Sequence, residues 1–247
     1  MMQQVRRIGF ALIAATVMAG AADRTWTAQA ATAASERFEV SSIKAVRPAL
    51  VETITALQQR DVAKAKAAFE AYDSAWNGIE FYVNTRSRPM YDLLEHEFQA
   101  RIAKRLDAPN ANIEALLADA KAMLIKFDET VSMIAGMPPL NPLYDDIARL
   151  RIVRAHLREV GPALKAGNLA KARKSFEAFN DNWDSIEDLI KARSGDAYVS
   201  IEKGMIEIEK ALMPDKLDIA QLTGLVNDVM ARYNAVLGEI AREARAR

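Results

Sequence analysis

From about residue 42 onward, apolar side chains return every three or four positions, the period of helices with one buried face. Over 62–85 the stripe is Phe69, Tyr72, Trp76, Ile79 and Val83, and further along it is Phe176, Phe179, Trp183, Ile186 and Ile190. Tyr91, Leu94 and Phe98 step in the same way and correspond to Tyr198, Ile201 and Met205. The pattern predicts helices over 42–59, 62–85, 89–106 and 113–134, antiparallel and joined by short loops. The breaks carry the expected chemistry. Arg60-Asp61 and Gly167-Asn168 are turn and cap positions, because Asp and Asn accept from the free amides of a following helix. Ser87 and Ser194 are candidate caps for the next helix, with Pro89 in its first turn. Asp107 to Asn110 and Met213-Pro-Asp215 separate the third and fourth helices of each set.

These correspondences reflect a repeat. A shift of 107 residues overlays 56–95 on 163–202 without a gap, and 15 of those 40 positions are identical, Trp76 and Trp183 among them. The match continues with a shift of 106, pairing Ile113, Leu116, Phe127 and Ile134 with Ile219, Leu222, Tyr233 and Ile240. The expected fold is therefore all-α, a tandem duplication of an antiparallel four-helix bundle, with units over 31–136 and 143–247. The Pro-rich stretch 137–142 is the junction between them.

Composition narrows the class. The 247 residues include 51% apolar and 27% charged side chains with only 10 Gly and 8 Pro, a helix-rich globular mixture. The absence of Cys excludes disulfides, thiolate metal sites, c-type haem attachment and a lipid-anchored cysteine. At the N-terminus, Arg6 and Arg7 precede an apolar run over 8–22 and an Ala28-Gln29-Ala30 small-x-small site, the order of a cleaved signal peptide. An uncleaved anchor is the other reading, although the run is short for a span of about 20 residues. The export route stays open. Residues 1–30 hold three basic side chains and one acidic, leaving 30 basic and 32 acidic residues in the mature chain. Interspersed charge with so small a balance gives no reason to expect nucleic acid or an anionic membrane as partner.

The repeat preserves polar residues as well. Glu80, Arg86, Ser87, Tyr91 and Glu95 recur as Glu187, Arg193, Ser194, Tyr198 and Glu202, while their neighbours change. Glu80 lies seven residues before the turn at Ser87 and Glu95 eight after it. At about 1.5 Å per residue, both stand about 10–12 Å from that turn, at one level. The two carboxylates are thus expected to face one another, with Tyr91 one turn nearer the loop. One account is a structural network in which Arg86 (and Arg193) neutralises the pair, with Ser87, Ser194, Trp76 and Trp183 as caps and core anchors. The other is a site for a metal ion or cationic ligand, with Glu80, Glu95 and Tyr91, and Glu187, Glu202 and Tyr198, as oxygen donors to iron or another hard cation. The repeated Arg competes for the same carboxylates. A ferritin-like di-iron centre is excluded, because the positions three after Glu95 and Glu202 are Phe98 and Met205 rather than His. His96 and His156 do not overlay under the repeat. No phosphate loop, nucleophile elbow or His-Glu-x-x-His motif is present, so no enzyme is expected.

The stretch 163–172, followed by Phe176-Glu-Ala-Phe179 and Trp183-x-x-Ile-Glu187, resembles the exported helical domain of bacterial high-affinity iron permeases. Residues 56–80 are similar, with Arg60-Asp61 in place of the Gly-containing turn. The permease's membrane helices and its Arg-Glu-x-x-Glu iron motif are absent. His156-Leu-Arg-Glu159 resembles the His-x-x-Glu of imelysin-type iron-uptake proteins, with Arg154 where glycine is expected. The resemblance implies a periplasmic binding or accessory protein in iron or metal uptake, partnered by a membrane metal permease or another periplasmic protein. A non-metal scaffold or sensor-like bundle that binds another exported protein is the alternative. The signal reading predicts that N-terminal sequencing of the exported form finds Ala31 first, and an intact residue 1 in the membrane fraction would overturn it.

Overall fold

The computed structural model describes residues 36–213 and 217–247; the expected signal segment 1–30 and the Pro214–Asp215 part of the second Pro-containing break lie outside them. The described residues are helical throughout and contain no strand, and 36–247 form one compact unit. The helices are α1 Phe38–Gln58, α2 Val62–Arg86, α3 Arg88–Tyr91, a π-helical segment Asp92–Gln99 that runs into α4 Ala100–Leu106, and α5 Ile113–Ala135. They continue with α6 Leu143–Lys165, α7 Leu169–Trp183, α8 Glu187–Lys191, α9 Gly195–Leu212 and α10 Ile219–Ala246. No helix among the described residues is long and apolar enough to cross a membrane.

The two first turns share one backbone solution. Asp61 N donates to Ala56 O and Arg60 N to Leu57 O; Asn168 N donates to Ala163 O and Gly167 N to Leu164 O. Each is a pair of bonds closing a helix C-terminus around a residue of positive φ. That residue is Gly167 at φ 70° in one turn and Arg60 at φ 59° in the other. The side chains of Asp61 and Asn168 then accept from Lys64 N and Lys171 N, starting the next helices.

Buried residues gather in two clusters. One is built on Tyr72, Trp76, Tyr82 and Phe127, the other on Phe179, Trp183 and Tyr233. Ala148 of α6 belongs to the first cluster although it stands in the second half of the chain, because α6 packs on α2 as well as on α7 and α10. Gly78 permits this crossing: a Cβ there would stand 3.2 Å from the Ile152 backbone. Tyr82 Oη donates to Asp145 at 2.6 Å and Phe81 stacks against Tyr144, fixing the start of α6 along α2.

The halves differ in helix register. Leu94 and Ile201, both buried, are 107 apart, whereas the buried pairs Ile102/Ile208 and Leu106/Leu212 are 106 apart. The extra residue is taken up within the π-helical segment, whose wider turn admits one more residue without ending the helix. This corrects the expected pairing of Phe98 with Met205: the buried position is held by Gln99, at 7% exposure, while Phe98 turns to the rim of the first cluster.

A left-handed non-glycine residue costs about 1–2 kcal/mol. Arg60→Gly is therefore expected to stabilise the protein by about 1 kcal/mol in urea denaturation, and Gly167→Ala to cost a similar amount. The exposed Arg60–Glu114 contact that the first change removes is worth little.

Candidate functional site

A buried indole N–H needs an acceptor, and both tryptophans find a glutamate nineteen residues on. Trp76 Nε1 donates to Glu95 Oε2 at 2.5 Å, and Trp183 Nε1 to Glu202 Oε1 at 2.7 Å. The indoles are essentially buried, so each glutamate is held at the edge of a core with one oxygen engaged. The sequence reading takes the tryptophans as core anchors and does not foresee these bonds. The equal nineteen-residue spacing is the signal that could have revealed them.

Around each Trp–Glu bond stand the other residues singled out from the sequence. Glu80 is half-buried; burial pushes its carboxyl above the usual range, the charge of Glu95 adds to this, and Arg151, Arg158 and Arg154 oppose it. The Tyr91 phenol is raised by burial and by the charges of Glu80 and Glu95. In the second half the Tyr198 phenol is raised by desolvation and by the neighbouring Glu187 and Glu202 carboxylates. Tyr198 also stacks on Trp183 with 14° between the rings, and Lys191 Nζ stands 5.2 Å from the centroid of the Tyr198 ring. Glu80, Tyr91 and Glu95 are thus brought together, as are Glu187, Tyr198 and Glu202.

The arginines do not serve these pairs. Arg86 makes a two-pronged bond to Glu39 at 2.6 and 2.7 Å and donates to Pro138 O, tying the end of α2 to the first turn of α1 and to the junction. Glu39 is 3% exposed and Arg86 10%, so this ion pair is buried. Arg193 pairs with Glu243 of α10. The expected role of Arg86 and Arg193 as neutralisers of the glutamate pairs is therefore corrected: a residue at the last turn of its helix reaches the ends of neighbouring helices, not a carboxylate two turns back. Ser87 and Ser194 cap α3 and α9, accepting from Met90 N and Ala197 N.

The cation beside the first pair comes from α6, which sequence reasoning missed. Arg151 lies 3.6 Å from Glu80 and 4.8 Å from the Phe81 ring centroid. Arg154 donates to Asn234 at 2.7 Å. No ion pair involves Glu187 or Glu202 among the described residues. His156 of the His-x-x-Glu pattern faces an apolar groove, and Glu159 pairs with Lys171 at 2.9 Å instead. The groove, about 610 Å³ between α1, α2 and α6, is lined by Phe38, Val46, Ala75, Ile79, Ile152 and His156 among others. Burial there holds the imidazole below its ordinary pKa.

Among the described residues, no group of three or more His, Cys, Asp and Glu side chains is arranged to hold a metal ion. Each half offers two carboxylates and a phenol. The fold and site define a helical protein with paired carboxylates at the edges of two aromatic cores. No protein-family model, curated protein or solved structure matches the chain.

The two kinds of carboxylate predict responses of different size. Glu39→Gln leaves a buried guanidinium without its counter-charge and is expected to cost about 3–5 kcal/mol in chemical denaturation. Glu80→Gln removes a charge that burial and Glu95 both disfavour, which offsets the loss of the longer contact to Arg151, so its cost should be well below that of Glu39→Gln, about 1 kcal/mol.

Proposed function

We propose that the protein is an exported, duplicated four-helix binding protein, accessory to metal uptake, whose cation site is Glu187–Tyr198–Glu202. The observation that carries this reading is that Glu202, engaged by Trp183 Nε1 at 2.7 Å, shares the neighbourhood of the Tyr198 phenol with Glu187, and that neither carboxylate has an ion-pair partner among the described residues. Two carboxylates and a phenol are hard oxygen donors suited to iron or another hard cation. An incoming ion would relieve the repulsion between them. The first pair lies against Arg151, and its role in this reading is structural. The matched turns, the repeated Trp–Glu bond and the two aromatic clusters support descent from one duplicated unit. The resemblance to iron-permease domains supports the choice of metal and a periplasmic location. With no nucleophile, phosphate loop or metal-bound histidine in the reading, its chemistry is binding alone.

Calorimetric titration of the mature chain with ferric, ferrous, cupric and zinc ions tests this. Binding of at least one ion is expected, abolished by Glu187→Gln/Glu202→Gln and retained in Glu80→Gln/Glu95→Gln. Wild-type protein that shows neither heat nor a metal-dependent thermal shift overturns it.

A second reading, a non-metal interaction protein that binds another exported protein, is favoured by a different feature. The surface between α7 and α9 keeps large apolar side chains exposed, including Val199 at 63%, Ile206 at 51% and Met213 at 70%.

A further inference from the structure

The first half shows what covers an acidic helix face on this scaffold. Asp73, Asn77 and Glu80 stand at i, i+4 and i+7 on α2. Along them lies α6, with arginines at i, i+3 and i+7: Arg151 is 3.6 Å from Glu80, Arg154 acts on Glu80, and the charge of Arg158 reaches both Asp73 and Glu80. The residues 107 further on are Asn180, Asp184 and Glu187. Among the described residues no helix lies over Asn180 and Asp184, and both are exposed together with Asp181.

This face opens into a groove between α7 and α9. It consists of two adjoining depressions of about 340 and 390 Å³ that share Asn180 and Glu209. Buried Phe176 and Leu212 back the first depression, which is the more apolar, and buried Trp183 and Met205 back the second, whose surface is mostly polar. Along the lip, Ile206 and Met213 continue the seven-residue step that begins at Val199, which places the three on one stripe of α9. The walls carry Glu177, Asp181, Asp184, Glu202 and Glu209 against one guanidinium, Arg173, which donates to Leu212 O at 3.0 Å. None of the five carboxylates takes part in an ion pair among the described residues.

An exposed apolar stripe and an apolar depression beside acidic walls are the complement of a helix whose apolar stripe is flanked by basic side chains. We propose that the groove between α7 and α9 docks an amphipathic helix of a partner protein carrying arginines at the i, i+3, i+7 spacing that α6 presents to α2. The proposal rests on the interaction-protein reading and deepens it; it needs no metal at Glu187–Tyr198–Glu202. Rim carboxylates would steer the arginines and set the register, while the stripe of α9 would take the apolar face.

The probe is a fluorescein-labelled synthetic peptide with the sequence of residues 143–165, added to the mature chain in buffer containing EDTA and followed by anisotropy. A saturable, salt-sensitive complex is expected. Replacing Arg151, Arg154 and Arg158 of the peptide by Gln should weaken it at least about tenfold. So should Asp181→Asn/Asp184→Asn/Glu209→Gln in the protein, and, separately, Ile206→Ser/Met213→Ser. All five replaced side chains are exposed, and unchanged thermal melting of both variants shows that the scaffold is intact. No complex, or a complex indifferent to both sets of changes, overturns the proposal. So does sedimentation showing that the same changes dissolve a homodimer while peptide binding is absent, which would give the groove to a second copy of this chain. Because these variants leave Glu187, Tyr198 and Glu202 untouched and EDTA removes metal, this outcome and that of the metal titration are independent.

Discussion

A tryptophan can be buried whole only if its one N–H finds an acceptor. Here that requirement falls on Glu95 and Glu202, and much else depends on it. Satisfying the indole with a carboxylate instead of a carbonyl brings a negative charge to the edge of an aromatic core. The charge then raises the pKa of the neighbouring tyrosine and, in the first half, of a second glutamate. Each acidic pair is therefore a by-product of packing as well as a candidate for binding. What separates the two roles is whether another part of the chain has already supplied the cation.

The crossing of α6 over α2 supplies it in the first half. Gly78 lets the backbones come close, and the helix that enters there brings Arg151, Arg154 and Arg158 to the carboxylates of α2. At the residues 107 further on, Gly78 is replaced by Ser185, Ser74 by Asp181 and Ala75 by Asn182. Gly78, buried under α6, thus becomes an exposed serine, and two small groove-lining residues become an exposed Asp and Asn.

Periodicity made the helices legible, and the preserved polar residues made the Glu–Tyr–Glu groupings legible. Counting rise per residue from the Ser87 turn is enough to bring Glu80 level with Glu95. Three things escaped. Arg86 reaches Glu39, 47 residues away, and no spacing rule relates a helix end to the start of a different helix. The α6 arginines lie in the other half of the chain, so a comparison of each half with itself cannot find them. The π-helical segment hid in the change of shift from 107 to 106: the number was visible, but a loop could have absorbed the residue just as well. That the helix itself took it is a matter of packing, since Leu94 and Ile102 must both stay inside.

The clamp at the N-terminal end of α1 also has a mechanical meaning. Arg86 grips Glu39 and Pro138 O, and Arg37, one residue before α1, donates to Ile134 O and Met137 O at the end of α5. Force applied to the chain at Glu36 would thus be delivered to charged and carbonyl contacts on three other segments before it could slide α1 along its neighbours. Such contacts are short-ranged and rupture together, so the expected response is stiff and abrupt, unlike the gradual slip of an apolar helix face.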